Sequence, residues 1–143
     1  MNGINLPEPP PPAGKYAPVI VRSGFGFVSG QFPISDGKLV FNGQVGKDLS
    51  VEQGRQACRI AALNVLAQIA TVTCSFTNFE GLLRLDGYIA SSDDFFDQPG
   101  ILDVASHLFT EVLGESGNHA RTAFAVPRLP LNAPIELCVT FTA

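Results

Sequence analysis

The chain has 143 residues, 15% of them charged, with a mean hydropathy of +0.22 and a formal charge of −4. Soluble domains average about 25% charged residues, and no apolar run here nears the roughly 20 needed to cross a bilayer. Composition therefore points to one domain, outside the membrane, that covers part of its surface with further copies of itself. Nine scattered Lys and Arg against thirteen acids argue against the basic face of a nucleic-acid binder. Three cysteines, Cys58, Cys74 and Cys138, share no CxxC spacing, so no disulfide framework is expected. The start is neither basic nor followed by an apolar run, so no secretory leader is expected, and a cytoplasmic location fits the thiols.

From Leu6 to Gly14 the chain is a proline run that fits neither helix nor central strand. An SH3-type ligand would need a basic anchor that the run lacks. Residues 1–15 therefore read as an extended arm lying over a single domain of residues 16–143. Tyr16–Arg22 and Phe25–Ser29 are rich in Val, Ile and Phe and separated by Ser23-Gly24, a hairpin signal. Asp36-Gly37 is a second turn dipeptide, and Lys38–Phe41 reads as a short third strand. Ser50-Val-Glu-Gln53 then forms a capping box, and Cys58, Ala62, Val65 and Ile69 make the apolar stripe of a helix ending near Ala70.

Leu82–Ala90 reads as a strand. Beyond Asp93-Asp-Phe-Phe-Asp-Gln-Pro99, a second helix carries Ile101, Ala105, Leu108 and Val112 on one stripe and stops at Gly114. Two more strands, Arg121–Val126 and Ile135–Phe141, flank the proline-rich connection 127–134. In the last strand Ile135, Leu137, Val139 and Phe141 share one face, and Glu136, Cys138 and Thr140 the other. The order βββ-α-β-α-ββ predicts an α+β fold, a mixed sheet with two helices on one face.

A carboxylate in mid-strand is uncommon. Glu136 is either solvated on an open sheet face or a general base in a cleft. Arg121 follows a Gly- and Asn-rich loop and is either a bare surface cation or a bidentate grip on a carboxylate. If the last two strands pair as a hairpin, Glu136 falls beside Phe124 or Ala125, with Arg121 nearby. His107 reads as exposed and His119 as a structural hydrogen-bonding group. Cys138 reads as a small core residue, although a Cys138–His119 nucleophile pair is the sharper alternative. Two histidines without paired acids make no metal site. Gly24-Phe-Gly26 with Gly30 is no phosphate loop, because no helix N-terminus follows it.

Val28-Ser-Gly-Gln-Phe-Pro33, His119-Ala-Arg-Thr122 and Arg128-Leu-Pro130 with Pro134-Ile-Glu136, in this order and spacing, resemble the Rid/YjgF family of reactive intermediate deaminases. This family is also known as endoribonuclease L-PSP. The resemblance runs from about Tyr16 to Thr142 and implies a chorismate-mutase-like fold in a barrel-like homotrimer with clefts between subunits. It further implies hydrolysis of 2-imino or enamine acids to 2-keto acids and ammonia, without cofactor or metal. Its site residues carry over to Arg121, which would bind the substrate carboxylate, and to Glu136, which would position the attacking water. Tyr16 would line the pocket, and Ser29-Gly30 would bring backbone to the substrate. The chain departs from the family at Ala123, where Cys or Asn is common, and at His119, where Pro is frequent. Extra residues around Pro99-Gly100 leave Asp103 as the candidate for a further pocket position. A carboxylate-binding or regulatory trimer without turnover is the alternative function, and an endoribonuclease a weaker one.

Overall fold

The computed structural model describes residues 3–143, so Met1 and Asn2 of the expected arm lie outside the described residues. Seven strands and two helices follow in chain order: β1 (Val19–Arg22), β2 (Phe25–Gln31), β3 (Ile34–Ser35), β4 (Lys38–Leu39), α1 (Val51–Val72), β5 (Gly81–Ala90), α2 (Gln98–Leu113), β6 (Ala120–Val126) and β7 (Ile135–Thr142). Short 3-10 turns occupy 114–117 and 130–132. The main sheet has the order β1-β2-β7-β5-β6, and β3 and β4 form a separate hairpin.

Local chemistry accounts for the element ends. Ser23 and Gly24, and again Asp36 and Gly37, adopt positive φ in both central positions of their two-residue turns, which matches the twist of the strands they join. Ser50 Oγ accepts from Gln53 N while Gln53 Oε1 accepts from Ser50 N, so the capping box forms as the sequence predicts. Asp97 caps α2 by accepting from Gly100 N at 3.1 Å, and Gly114 ends the helix at φ 63°.

The third strand is shorter than the sequence suggests and lies outside the main sheet. The main correction concerns the last two strands. They do not form a hairpin: β6 pairs parallel with β5, and β7 runs antiparallel between β2 and β5. The β5-α2-β6 segment is a crossover unit that brings its strands together in parallel. The 127–134 connection, with three prolines and left-handed Leu131 and Asn132, then carries the chain past β5 instead of folding it back.

Both helices cover one face of the sheet. Their stripes pack with Leu85, Ile89, Ile135, Leu137, Val139 and Phe141 into one core, in which all of these are fully or nearly fully buried. The opposite face is open and carries Phe25, Phe27 and Phe124 exposed, with Tyr88 stacked on Phe124 at 4.9 Å. Residues 3–18 run along the fold without regular structure. Ile4 and Leu6 touch the core, and Gln68 of α1, itself buried, donates to Pro10 O at 2.8 Å. Among the described residues no helix is long and apolar enough to cross a membrane.

Candidate functional site

Strand register decides which candidates can meet. Glu136 pairs with Tyr88, and Tyr88 with Phe124, so all three side chains belong to the open face. Arg121 pairs with Leu85, which is fully buried under the helices. Leu85 and Tyr88 are three residues apart and point to opposite sides. Arg121 and Glu136 therefore lie on opposite faces of the sheet with β5 between their strands and three residues of register between them, about 14 Å apart in the sheet plane alone. The nearness expected from a β6–β7 hairpin is overturned because that hairpin does not exist. Within one chain the two groups cannot grip the same small molecule.

Arg121 sits on the edge strand beside α2. Its Nη1 donates to Ser106 Oγ at 3.0 Å, and its Nη2 to Pro99 O at 3.3 Å and to Asp103 Oδ1 at 2.8 Å. Asp103 and Ser106 are three residues apart and so share the helix edge that faces β6. Ser106 is also 2.9 Å from His119 Nε2, and His119 Nδ1 is 2.6 Å from Gly117 O. The Gly117 carbonyl can only accept, so Nδ1–H donates to it, and the ring is held with Nε2 turned to the Ser106 hydroxyl. His119 thus holds the structural hydrogen bonds expected of it, one step removed from the guanidinium. His107 is exposed.

The second cluster forms where the arm meets β2. Tyr16, Gly30 and Pro10–Pro12 line one cleft with about 20 Å³ free, room for roughly one water. Tyr16 Oη accepts from Ala13 N at 3.2 Å. Ser29 Oγ donates to Ala17 O at 2.8 Å, so this hydroxyl ties β2 to the segment before β1. A Cβ at Gly30 would land on the Glu136 carboxylate, so any side chain there would displace that group. Burial raises the Glu136 pKa from its ordinary value, and no hydrogen bond from a described residue supports its charged form. The structure therefore groups Tyr16, Ser29, Gly30 and Glu136 at one end and leaves Arg121 at the other.

Sequence reasoning missed the residues that hold these ends. Buried Gln68 links Pro10 O to Gln31 Oε1, and Gln31 donates to Ser29 O at 3.0 Å, which builds an amide rung under the Tyr16 cleft. Ser106 was equally silent. Its one signal is the three-residue step from Asp103. The imagined Cys138–His119 nucleophile pair does not form, since Cys138 lies on the open face and His119 beside Ser106. Burial, with Glu136 and Asp86 nearby, pushes the Cys138 thiol up to about 11, and burial pushes Cys58 up to about 12. Among the described residues no three His, Cys, Asp or Glu gather to hold a metal ion.

Comparison with known proteins agrees with this architecture. Protein TCP17 of Trypanosoma cruzi is 34% identical over 136 residues, 94% of this chain and 85% of its own length. The crystal structure of a "putative endoribonuclease" from Shewanella oneidensis superposes with a TM-score of 0.94 at 34% identity, covering 99% of this chain and 93% of that one. Atu1372 of Agrobacterium tumefaciens, a protein of unknown function, gives 0.89 at 33% identity, covering 98% and 85%. A family model described as "YjgF/chorismate_mutase-like, putative endoribonuclease" matches residues 1–142, and the chain belongs to that family.

Proposed function

We propose that the protein hydrolyses 2-imino and enamine acids to 2-keto acids and ammonia, at a cleft completed by a second copy of the chain. The carrying observation is the division of the site. Arg121 is positioned at one sheet edge, and a desolvated carboxylate beside a bare glycine backbone lies on the other face. Each half is chemically sensible and neither is sufficient. The exposed Phe25, Phe27 and Phe124 on the open face supply apolar surface for such an assembly, and a homotrimer is the arrangement the family resemblance favours.

In this reading Arg121 holds the substrate carboxylate and Glu136 a water. The water attacks the C=N carbon of the iminium form as one proton passes to Glu136; the carboxyl group returns that proton to the carbinolamine nitrogen and then takes the hydroxyl proton as the C–N bond breaks, the C=O forms and ammonia leaves. An imine hydrolyses spontaneously, so orientation of the two reactants supplies much of the acceleration. The residues need no metal or cofactor for these steps, and the reading places the protein in the cytoplasm beside enzymes that release imines.

A second reading, carboxylate binding without turnover, is favoured by the ion pair that Asp103 already makes with Arg121. An RNA-cleaving role has the family description behind it but meets an acidic chain with scattered cations.

The test generates imino acids in situ with an amino-acid oxidase and traps the remainder with semicarbazide. Wild type is expected to deplete the imine faster than buffer, and Arg121→Ala to lose roughly 100-fold or more of that excess. Wild type matching buffer across several imino acids, while folded, sinks turnover and leaves binding. Mass photometry returning a monomer at micromolar concentration sinks the shared cleft.

A further inference from the structure

Asp103 is half-exposed, and Arg121 is its one polar partner among the described residues. Arg121 does not depend on it for position, because Ser106 and the Pro99 carbonyl hold the same guanidinium from other directions. Asp103 also borders an open hollow of about 480 Å³ shared with Arg55, Asp97 and His107. Counting Arg121, which contacts Asp103 and Pro99 at its rim, the Arg and Asp side chains there carry two positive and two negative charges. A plain carboxylate approaching Arg121 therefore meets a cation whose field is already cancelled, and it must share Nη2 with a fixed anion of its own sign. A ligand carrying a positive nitrogen on the carbon next to its carboxylate meets a different situation. Its carboxylate faces Arg121 while its nitrogen faces Asp103, so both of its charges find an opposite.

We propose that Asp103 is a specificity-determining residue that makes the Arg121 end of the site favour α-ammonium and 2-iminium acids over carboxylates that lack a charged nitrogen, 2-keto acids included. The proposal rests on the carboxylate-binding role of Arg121 argued above and names the ligand class of that same site. It has a consequence for turnover. Hydrolysis of the imine removes the nitrogen that Asp103 attracts, so the carboxylate that welcomes the substrate repels the keto-acid product.

The test titrates the full-length protein with L-alanine and with pyruvate, two ligands of one carbon skeleton that differ at the nitrogen, by calorimetry or ligand-observed NMR. Wild type is expected to bind alanine the more tightly. Asp103→Asn is expected to weaken alanine and strengthen pyruvate, moving the affinity ratio by about tenfold or more. Asp103→Glu, which keeps the charge, should keep the preference, a result that a merely structural role for Asp103 would not give. If Asp103→Asn fails to fold by circular dichroism, Asp103→Ser carries the same expectation. Arg121→Ala separates the two ideas. If it removes binding of both ligands while Asp103→Asn leaves the ratio within about twofold of wild type, the proposal for Asp103 falls and the carboxylate site stands. If Arg121→Ala binds both ligands as wild type does, or wild type binds neither, the carboxylate site itself falls and the proposal with it.

Discussion

Arg121 commits Nη1 to Ser106 and Nη2 to Asp103 and Pro99, and Ser106 is anchored in turn by His119, whereas Glu136 lies over the Gly30 backbone with no hydrogen bond from a described residue. One end of the candidate site is a cation fixed before any ligand arrives. The other is a carboxylate kept partly dry, for which accepting a proton relieves a cost. The difference separates two tasks. A grip benefits from preorganisation, because a guanidinium already in place loses little freedom on binding. A proton acceptor benefits from a raised pKa, because its ideal value lies near the working pH.

The largest expected effect tests that division at the carboxylate. Glu136→Gln keeps shape and removes the base, and should lower imine hydrolysis by about 100- to 10,000-fold while leaving carboxylate binding nearly intact. A variant that loses binding and turnover in equal measure would show that Glu136 touches the ligand rather than the water. Gly30→Ala should act through the same group, since the new Cβ must displace the Glu136 carboxylate. A displacement of that kind costs roughly 10- to 100-fold in rate. Combined with Glu136→Gln it should add almost nothing, and full additivity in that double-mutant cycle would mean that Gly30 serves the site by another route.

Much of the frame is readable without coordinates, and the reason is locality. The Ser50–Gln53 box, the Ser23-Gly24 and Asp36-Gly37 turns and the apolar steps from Cys58 to Ile69 are encoded within a few residues of where they act. The alternation that puts Glu136 opposite Ile135 and Leu137 is equally local. Pairing of β6 is not, because proximity along the chain suggests β7 while the α2 crossover delivers β5. That one difference moves Arg121 to the far face from Glu136. Gln68 escapes notice for a related reason, and with it the partner of Gln31. A glutamine on a helix reads as solvent-facing until a separate segment, here the proline arm, is known to lie on it. Asp103 and Arg121 stand eighteen positions apart, and only the packing of α2 against β6 brings them into an ion pair.

A smaller effect concerns the arm. Gln68→Leu retains bulk but removes the donor to Pro10 O and the contact with Gln31, and should lower stability by about 1–2 kcal/mol in chemical denaturation. The loosened arm should also speed amide exchange at Ala13, whose N–H donates to Tyr16 Oη. Unchanged exchange at Ala13 would mean that the arm is held by the apolar contacts of Ile4 and Leu6 instead.

The smallest expected effect returns to Glu136, with the opposite sign to its effect on activity. Its pKa is raised in the folded chain, so the folded state holds this proton to a higher pH than the unfolded state does. Below the unfolded value both states are protonated and the residue contributes nothing to the pH dependence. As pH rises through the window between the two values, only the unfolded state releases its proton and stability falls; above the folded value the full cost of the desolvated charge is present. Glu136→Gln should therefore raise the melting temperature slightly at pH 8, and the gain should fade as the pH drops below the ordinary carboxylate range. Because the side chain is only half-buried, solvent screening holds the gain to about 1–2 °C. A gain that persists undiminished in acid would assign it to packing, and a loss at pH 8 would mean that the carboxylate is stabilised by a partner in the assembled protein, the arrangement the shared cleft requires.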